Sequence, residues 1–291
     1  MALVVNDNAA VATGMSPIVE GALYADQIFI DGMTFTSKYD IGNAGQIQVV
    51  KYSRSAEKVK PKAPGSNFTD EDYKNTVIDI NINNAFQKSV KVPAYFGATL
   101  PSNVMRDKAW EVTEEVREGR QCTGIAILVK EGTVVSDATE ITAANVKKVL
   151  LTARTTLRKK NARPNVLIVK PEIYAAIQEY AGKEFTPMFN DDIVRSGRVG
   201  MWLGFIIIEC TLLDGTSSYT YLDAEGSEQN VSIADVEFIM YDFQAFSIID
   251  RLDSLRYVQS ELFNGAKVQE ELATGFKVTN SDCVYVKKKG A

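Results

Sequence analysis

The side chains of this sequence that could do chemistry are lysines, tyrosines and carboxylates, because the chain has no histidine. Without His there is no Ser-His or Cys-His nucleophile pair, no imidazole base and no His-containing zinc site. The neighbouring carboxylates Glu114/Glu115 and Asp191/Asp192 could in principle form an acid/base pair or a metal site. Adjacent residues on a helix point apart, however, and nothing draws either pair into a pocket. Gly197, Gly200 and Gly204 surround a strand start, but neither a GxGxxG nor a Walker pattern is present, so no nucleotide loop is assigned. Cys122, Cys210 and Cys283 are too few and too scattered for a disulfide framework or a four-cysteine metal site, and read as buried free thiols. No catalytic residue, cofactor or metal is assigned from these residues, and an enzyme built from Lys, Tyr and carboxylates stays open at this point.

What remains is charge placed by spacing. Lys51, Arg54, Lys58, Lys60 and Lys62 put five cations within twelve residues, opposed only by Glu57, while Pro61 and Pro64 stiffen the segment. On a free loop such a cluster repels itself. A second group, Lys147, Lys148, Arg154, Arg158, Lys159 and Lys160, includes no acid. It reads as a solvated helix face, with cations favoured near a helix C-terminus and no aromatic interleaved for base stacking. Lys287-Lys288-Lys289 reads as a solubilising tail. The net charge of −5 argues against a basic nucleic-acid binder.

The elements that carry these charges follow from periodicity. At 291 residues, 45% hydrophobic and 24% charged, the chain can fold as one large domain or two. Its first cation is Lys38, so no secretory leader is expected, and its most apolar stretch, Met201 to Leu213, is too short for a membrane span and carries Glu209. Residues 1 to 36 show apolar beads without a period, an arm for which a neighbouring subunit is the simplest support. Gly45 to Tyr52 alternates as a strand and is answered by Thr76 to Asn83, a hairpin with a long polar tip. From Ser102, a candidate cap, Met105, Ala109, Val112, Val116, Gly119, Thr123 and Ala126 recur at helical steps, with Lys108/Glu111 and Glu114/Arg117 at ion-pair spacing. About 25 residues of helix make a rod of roughly 35–40 Å, although Gly119 argues against an uninterrupted one. Thr142 is a candidate cap for a helix through Asn161, with Val146, Leu150, Ala153 and Leu157 as its stripe. A buried strand, Val166 to Val169, and a helix from Pro171 to about Tyr180 follow. Strands are expected at Phe205 to Cys210, Ser218 to Leu222 and Val236 to Tyr241, then short ones at Leu255 to Gln259, Gly275 to Thr279 and Cys283 to Lys287.

This order resembles the major capsid proteins of tailed phages, with their Hong Kong 97-like fold. Local echoes are Val166-Leu167-Ile168-Val169-Lys170-Pro171-Glu172-Ile173-Tyr174, then Gly197-Arg198-Val199-Gly200-Met201-Trp202-Leu203-Gly204-Phe205, and Gly275-Phe276-Lys277-Val278 ahead of Cys283-Val284-Tyr285-Val286. The resemblance implies an α+β fold: an N-terminal arm (1–36), an extended hairpin region (37–92), a peripheral domain with a spine helix (93–140), a mixed α/β axial domain (141–246) and a return to the peripheral domain (247–291). It implies self-assembly through hexamers and pentamers into an icosahedral virion shell around phage double-stranded DNA, contacted non-specifically, with assembly in the host cytoplasm and no membrane partner. A portal and a separate scaffolding protein are the implied partners, because many such proteins begin with a large scaffolding segment and this arm is short. In that family the hairpin lies across the adjacent subunit. Lys51, Arg54, Lys58, Lys60 and Lys62 would then meet acids there, with Glu111, Glu114, Glu115 and Glu118 of the spine helix as candidates. An encapsulin-type nanocompartment shell is the alternative, and a His-free α/β enzyme ranks below it.

Overall fold

In the computed structural model, which describes residues 25, 28–29, 46–52, 61, 75–94, 104–184, 201–213, 217–259, 262 and 264–290, a 28-residue helix, α1 (Val104–Glu131), joins two sheets. At 1.5 Å per residue it is about 42 Å long. Its stripe is the expected one: Ala109, Val112, Val116, Thr123 and Ala126 are buried. Gly119 does not break it; the glycine faces the Phe86 ring, which a Cβ there would meet at an ordinary contact distance of 3.5 Å.

The N-terminal half of α1 packs on a three-stranded antiparallel sheet of β3 (Asn84–Pro93), β11 (Phe246–Gln259) and β12 (Gly265–Val278), in the order β11-β12-β3. Ala109 and Val112 meet Val92 and Val268 there. Polar ties hold the helix to this sheet. Arg120 donates to both carboxylate oxygens of Asp250 at 3.0 and 2.6 Å, and Glu131 accepts from Lys277 Nζ at 2.5 Å and from the Val278 amide at 2.9 Å.

The C-terminal half of α1 enters the core of a six-stranded mixed sheet of β4 (Thr133–Asp137), β5 (Val166–Val169), β6 (Met201–Trp202), β7 (Phe205–Glu209), β10 (Val236–Tyr241) and β13 (Val284–Lys289), in the order β4-β13-β10-β5-β7-β6. The central strands are buried on both faces, as their unbroken apolar runs require. Strand period two then splits them. Val166 and Ile168 join Ile125, Leu128 and Ile239 in one core, whereas Leu167 and Val169 face a second with Phe238 and Met240. Two helices, α2 (Val146–Lys159) and α3 (Pro171–Glu184), cover that second core through Leu150, Leu157, Ile173 and Ile177. A hairpin of β8 (Ser218–Leu222) and β9 (Glu228–Ser232) packs on α1. The remaining ladder, β1 (Gln46–Tyr52) with β2 (Asn75–Asn81), is antiparallel.

The structure corrects several expectations. Two of the three short C-terminal strands belong to 14-residue strands, β11 and β12, whose charged residues hide their alternation, whereas the third is the short β13. Strands β3, β4 and β9 had no clear period. Thr142 does not cap α2. Asn145 holds the N-cap position, and its Oδ1 accepts from the Thr142 amide at 2.8 Å. The arm is held at least in part by its own subunit, since Ile28 and Phe29 are 1% and 5% exposed in the first core. Lys287 is no tail residue. It is buried and ion-paired to Glu237, with the carbonyls of Thr139 and Asp137 at 3.2 and 3.4 Å. It lies on the β13 face that carries Tyr285, beside the fully buried Val286, where a lone charge would be costly and a paired one is tolerated.

Candidate assembly surface

The β1–β2 ladder has two unlike faces. One carries Ile47 opposite Ile80, Val49 opposite Ile78 and Lys51 opposite Thr76. This face lies along the chain's own β12: Ile80 is fully buried, and a Cβ on Gly275 would stand 2.9 Å from the Asn81 carbonyl oxygen. Lys51 Nζ donates to the Thr279 carbonyl at 3.2 Å. The other face pairs Gln48 with Asp79 and Val50 with Val77. Val50 and Val77 are 45% and 51% exposed, an apolar pair left open among the described residues.

Of the five cations singled out from the sequence, Lys51 thus makes a contact inside its own subunit. Arg54, Lys58, Lys60 and Lys62 lie outside the described residues, as do Ser102, Asp191, Asp192, Gly197 and Gly200. The four acids all lie on α1, and three have cations beside them. Glu111 pairs with Lys108, Glu114 with Arg117 at 3.3 Å, and Glu115 with Lys88 of β3 at 2.7 Å. The first two are the pairs expected from helical spacing. Glu118 has no ion pair among the described residues. A neighbour's cations would therefore join or displace existing surface pairs, each worth about 0.2–1 kcal/mol.

Sequence reasoning missed a second exposed region. The strand β11 is a sheet edge, and its distal half exposes Leu255, Tyr257 and Val258. An open edge with apolar side chains is a template for association. Five consecutive exposed positions, 255 to 259, leave no alternation to detect, so composition alone gave no signal.

Glu114 and Glu115 point to different partners. Among the described residues no three His, Cys, Asp or Glu side chains converge as for a metal ion, and no helix is long and apolar enough to cross a membrane. None of the three cysteines forms a disulfide. Burial pushes the Cys210 thiol up to about 12. Cys122 and Cys283 are only half-buried, a departure from the expected full burial.

The sequence matches no protein-family model and no curated protein. Solved structures match over nearly the whole chain. A structure described as Mycobacterium phage Che8 aligns with TM-score 0.72 at 17% identity, covering 96% of this chain and 97% of that one. A capsid structure of the cyanophage P-SCSP1u aligns with TM-score 0.69 at 14% identity, covering 95% and 92%. The capsid of a native GTA particle aligns with TM-score 0.66 at 10% identity, covering 100% and 99%. The fold is thus that of phage capsid structures, the α+β Hong Kong 97-like arrangement anticipated from the order of elements.

Proposed function

We propose that this chain is a major capsid protein that closes into an icosahedral shell around double-stranded DNA. The observation that carries the reading is the extent of the fold match, from hairpin through spine helix to the closing strands, with capsid structures of similar length. The surface supports it physically. The Val50/Val77 pair and the distal edge of β11 are apolar areas that one subunit leaves open, and repeated heterologous contacts between unlike patches generate rings and closed shells. The hairpin cations and the α1 acids are proposed as a steering contribution at the same contact. A portal, a separate scaffolding protein and assembly in a host cytoplasm belong to this reading. The chain is a structural subunit here and not an enzyme.

The test is expression of the full chain, followed by light scattering and negative-stain microscopy. Closed shells of uniform diameter are expected. A monodisperse monomer across concentration and salt would overturn the proposal. Particles from the natural source should hold nuclease-protected duplex DNA, and an enzyme cargo in its place would favour the nanocompartment alternative.

A further inference from the structure

We infer that the outward face of α2 is a contact site for the acidic surface of a second copy of this chain. The inference rests on the shell reading above and adds a surface which that reading does not contain. The helix and its C-cap carry six cations and no acid. Three are engaged within the subunit. Arg154 lies over the Phe205 ring at 5.6 Å, Lys147 over the Tyr180 ring at 5.4 Å, and Lys160 pairs with Asp282 at 2.7 Å. Lys148, Arg158 and Lys159 are exposed, with no carboxylate partner among the described residues.

The helix dipole accounts for only half of this pattern. It favours Arg158 and Lys159 in the last turn, but it opposes Lys147 and Lys148 in the first turn, where no acid is present. Lys148, Thr152, Thr155 and Lys159 fall at i, i+4, i+7 and i+11, one stripe about 16 Å long. The stripe borders a shallow groove that reaches Tyr180 on α3. Thr152 and Thr155 donate their hydroxyl protons back to the carbonyls of Lys148 and Leu151 at 2.9 and 2.7 Å, so the formal charge the stripe presents is positive.

Charge complementarity identifies the occupant. The chain totals −5, and the six cations of this segment supply +6, so the rest of the chain sums to −11. A second copy is therefore a strongly acidic partner. Glu140, Glu172, Glu209 and Asp235 are exposed around the six-stranded sheet and have no ion pair among the described residues. The basic face of one copy on the acidic surface of the next is a heterologous contact of the kind that closes rings.

The experiment compares wild type with Lys148→Glu/Lys159→Glu, both as full chains, by sedimentation and light scattering. Circular dichroism and thermal melting serve as folding controls. The reversal should raise the protein concentration needed for assembly at least tenfold, with an unchanged melting temperature. Acylation of lysines read by mass spectrometry supplies an independent measure: Lys148 and Lys159 should react at least fivefold more slowly in shells than in free subunits. Shells that form equally from both proteins, with equal lysine reactivity, would overturn this inference and leave the shell reading standing. A wild type that stays monomeric would overturn both. Binding of a 30-base-pair duplex that is lost in the variant, with assembly unaffected, would assign the face to nucleic acid and overturn it as well.

Discussion

The ring of Phe29 lies directly over Gly124 of α1, where a Cβ would stand 2.5 Å from its Cε2. The same ring tilts against Phe246 with centroids 5.3 Å apart, and the adjacent Ile28 amide donates to the Gln121 side-chain carbonyl. One missing side chain on the spine helix thereby admits the arm into the core beside Phe246 at the start of β11. Gly124→Ala would gain about 1 kcal/mol in helix propensity and lose about 2–3 kcal/mol to overpacking, for a net loss of about 1–2 kcal/mol. In a Phe29→Ala background the clash is gone, so the same substitution should become neutral or stabilising. Denaturant unfolding of the four proteins checks this, and equal effects in both backgrounds would show that the two residues are not coupled.

The Lys287–Glu237 pair should behave as a buried one. Glu237→Leu leaves an ammonium under the sheet with only the Asp137 and Thr139 carbonyls, and should cost about 3–5 kcal/mol. Adding Lys287→Met should restore most of that loss, because an apolar pair of similar volume fits the same space. Urea titration of the single and double variants is the measurement. A single variant within about 0.5 kcal/mol of wild type, the level usual for surface changes, would place the pair in solvent.

Alkaline pH should weaken the subunit through two buried acids. Burial pushes up the Cys210 thiol, to about 12, and the Tyr241 phenol. Each stays protonated in the fold while the unfolded chain ionises it from its ordinary 9.0 or 10.0. The stability involved is therefore fully present below those values and is lost as pH rises toward the folded ones, at up to about 1.4 kcal/mol per pH unit per group. Tyr241 also has no hydrogen-bond partner for its hydroxyl among the described residues. Tyr241→Phe should be neutral or up to about 1 kcal/mol more stable at pH 7, and its stability should fall less steeply above pH 10. In the same preparation Cys210 should resist a thiol reagent at pH 8 until the protein unfolds.

The two faces of the hairpin can be separated by mutation. Val50→Asp with Val77→Asp alters side chains that are already half exposed, so subunit stability should change by less than about 1 kcal/mol. Assembly should be lost, because two charges then enter every copy of an apolar contact. Sedimentation with circular dichroism as the folding control decides it, and normal shells would show that this face stays in solvent.

Reversal of the hairpin cations, Lys58, Lys60 and Lys62 to Glu, tests the electrostatic half of the contact. A single Lys→Ala should be nearly silent, at about 0.2–1 kcal/mol per exposed pair. The triple reversal replaces attraction with repulsion at each repeat, so assembly should fail with the fold intact. Normal shells from the triple variant would remove these lysines from the mechanism.

Much of this fold was legible because its signals are local. The stripe Val146, Leu150, Ala153 and Leu157, the apolar run Val166 to Val169 and the β1–β2 alternation each reflect a short repeat that burial imposes on successive residues. The absence of histidine and the order of elements likewise needed no coordinates. Tertiary structure alone decided the rest. Whether Lys287 is a tail residue or a buried ion depends on Glu237, 50 positions earlier in the chain. Whether Gly124 weakens α1 or makes room on it depends on Phe29. Lys51 looked like part of an exposed tip until β12 brought the Thr279 carbonyl to it. In each case the energy comes from a partner far away in sequence, and periodicity records which way a side chain faces but not what it meets there.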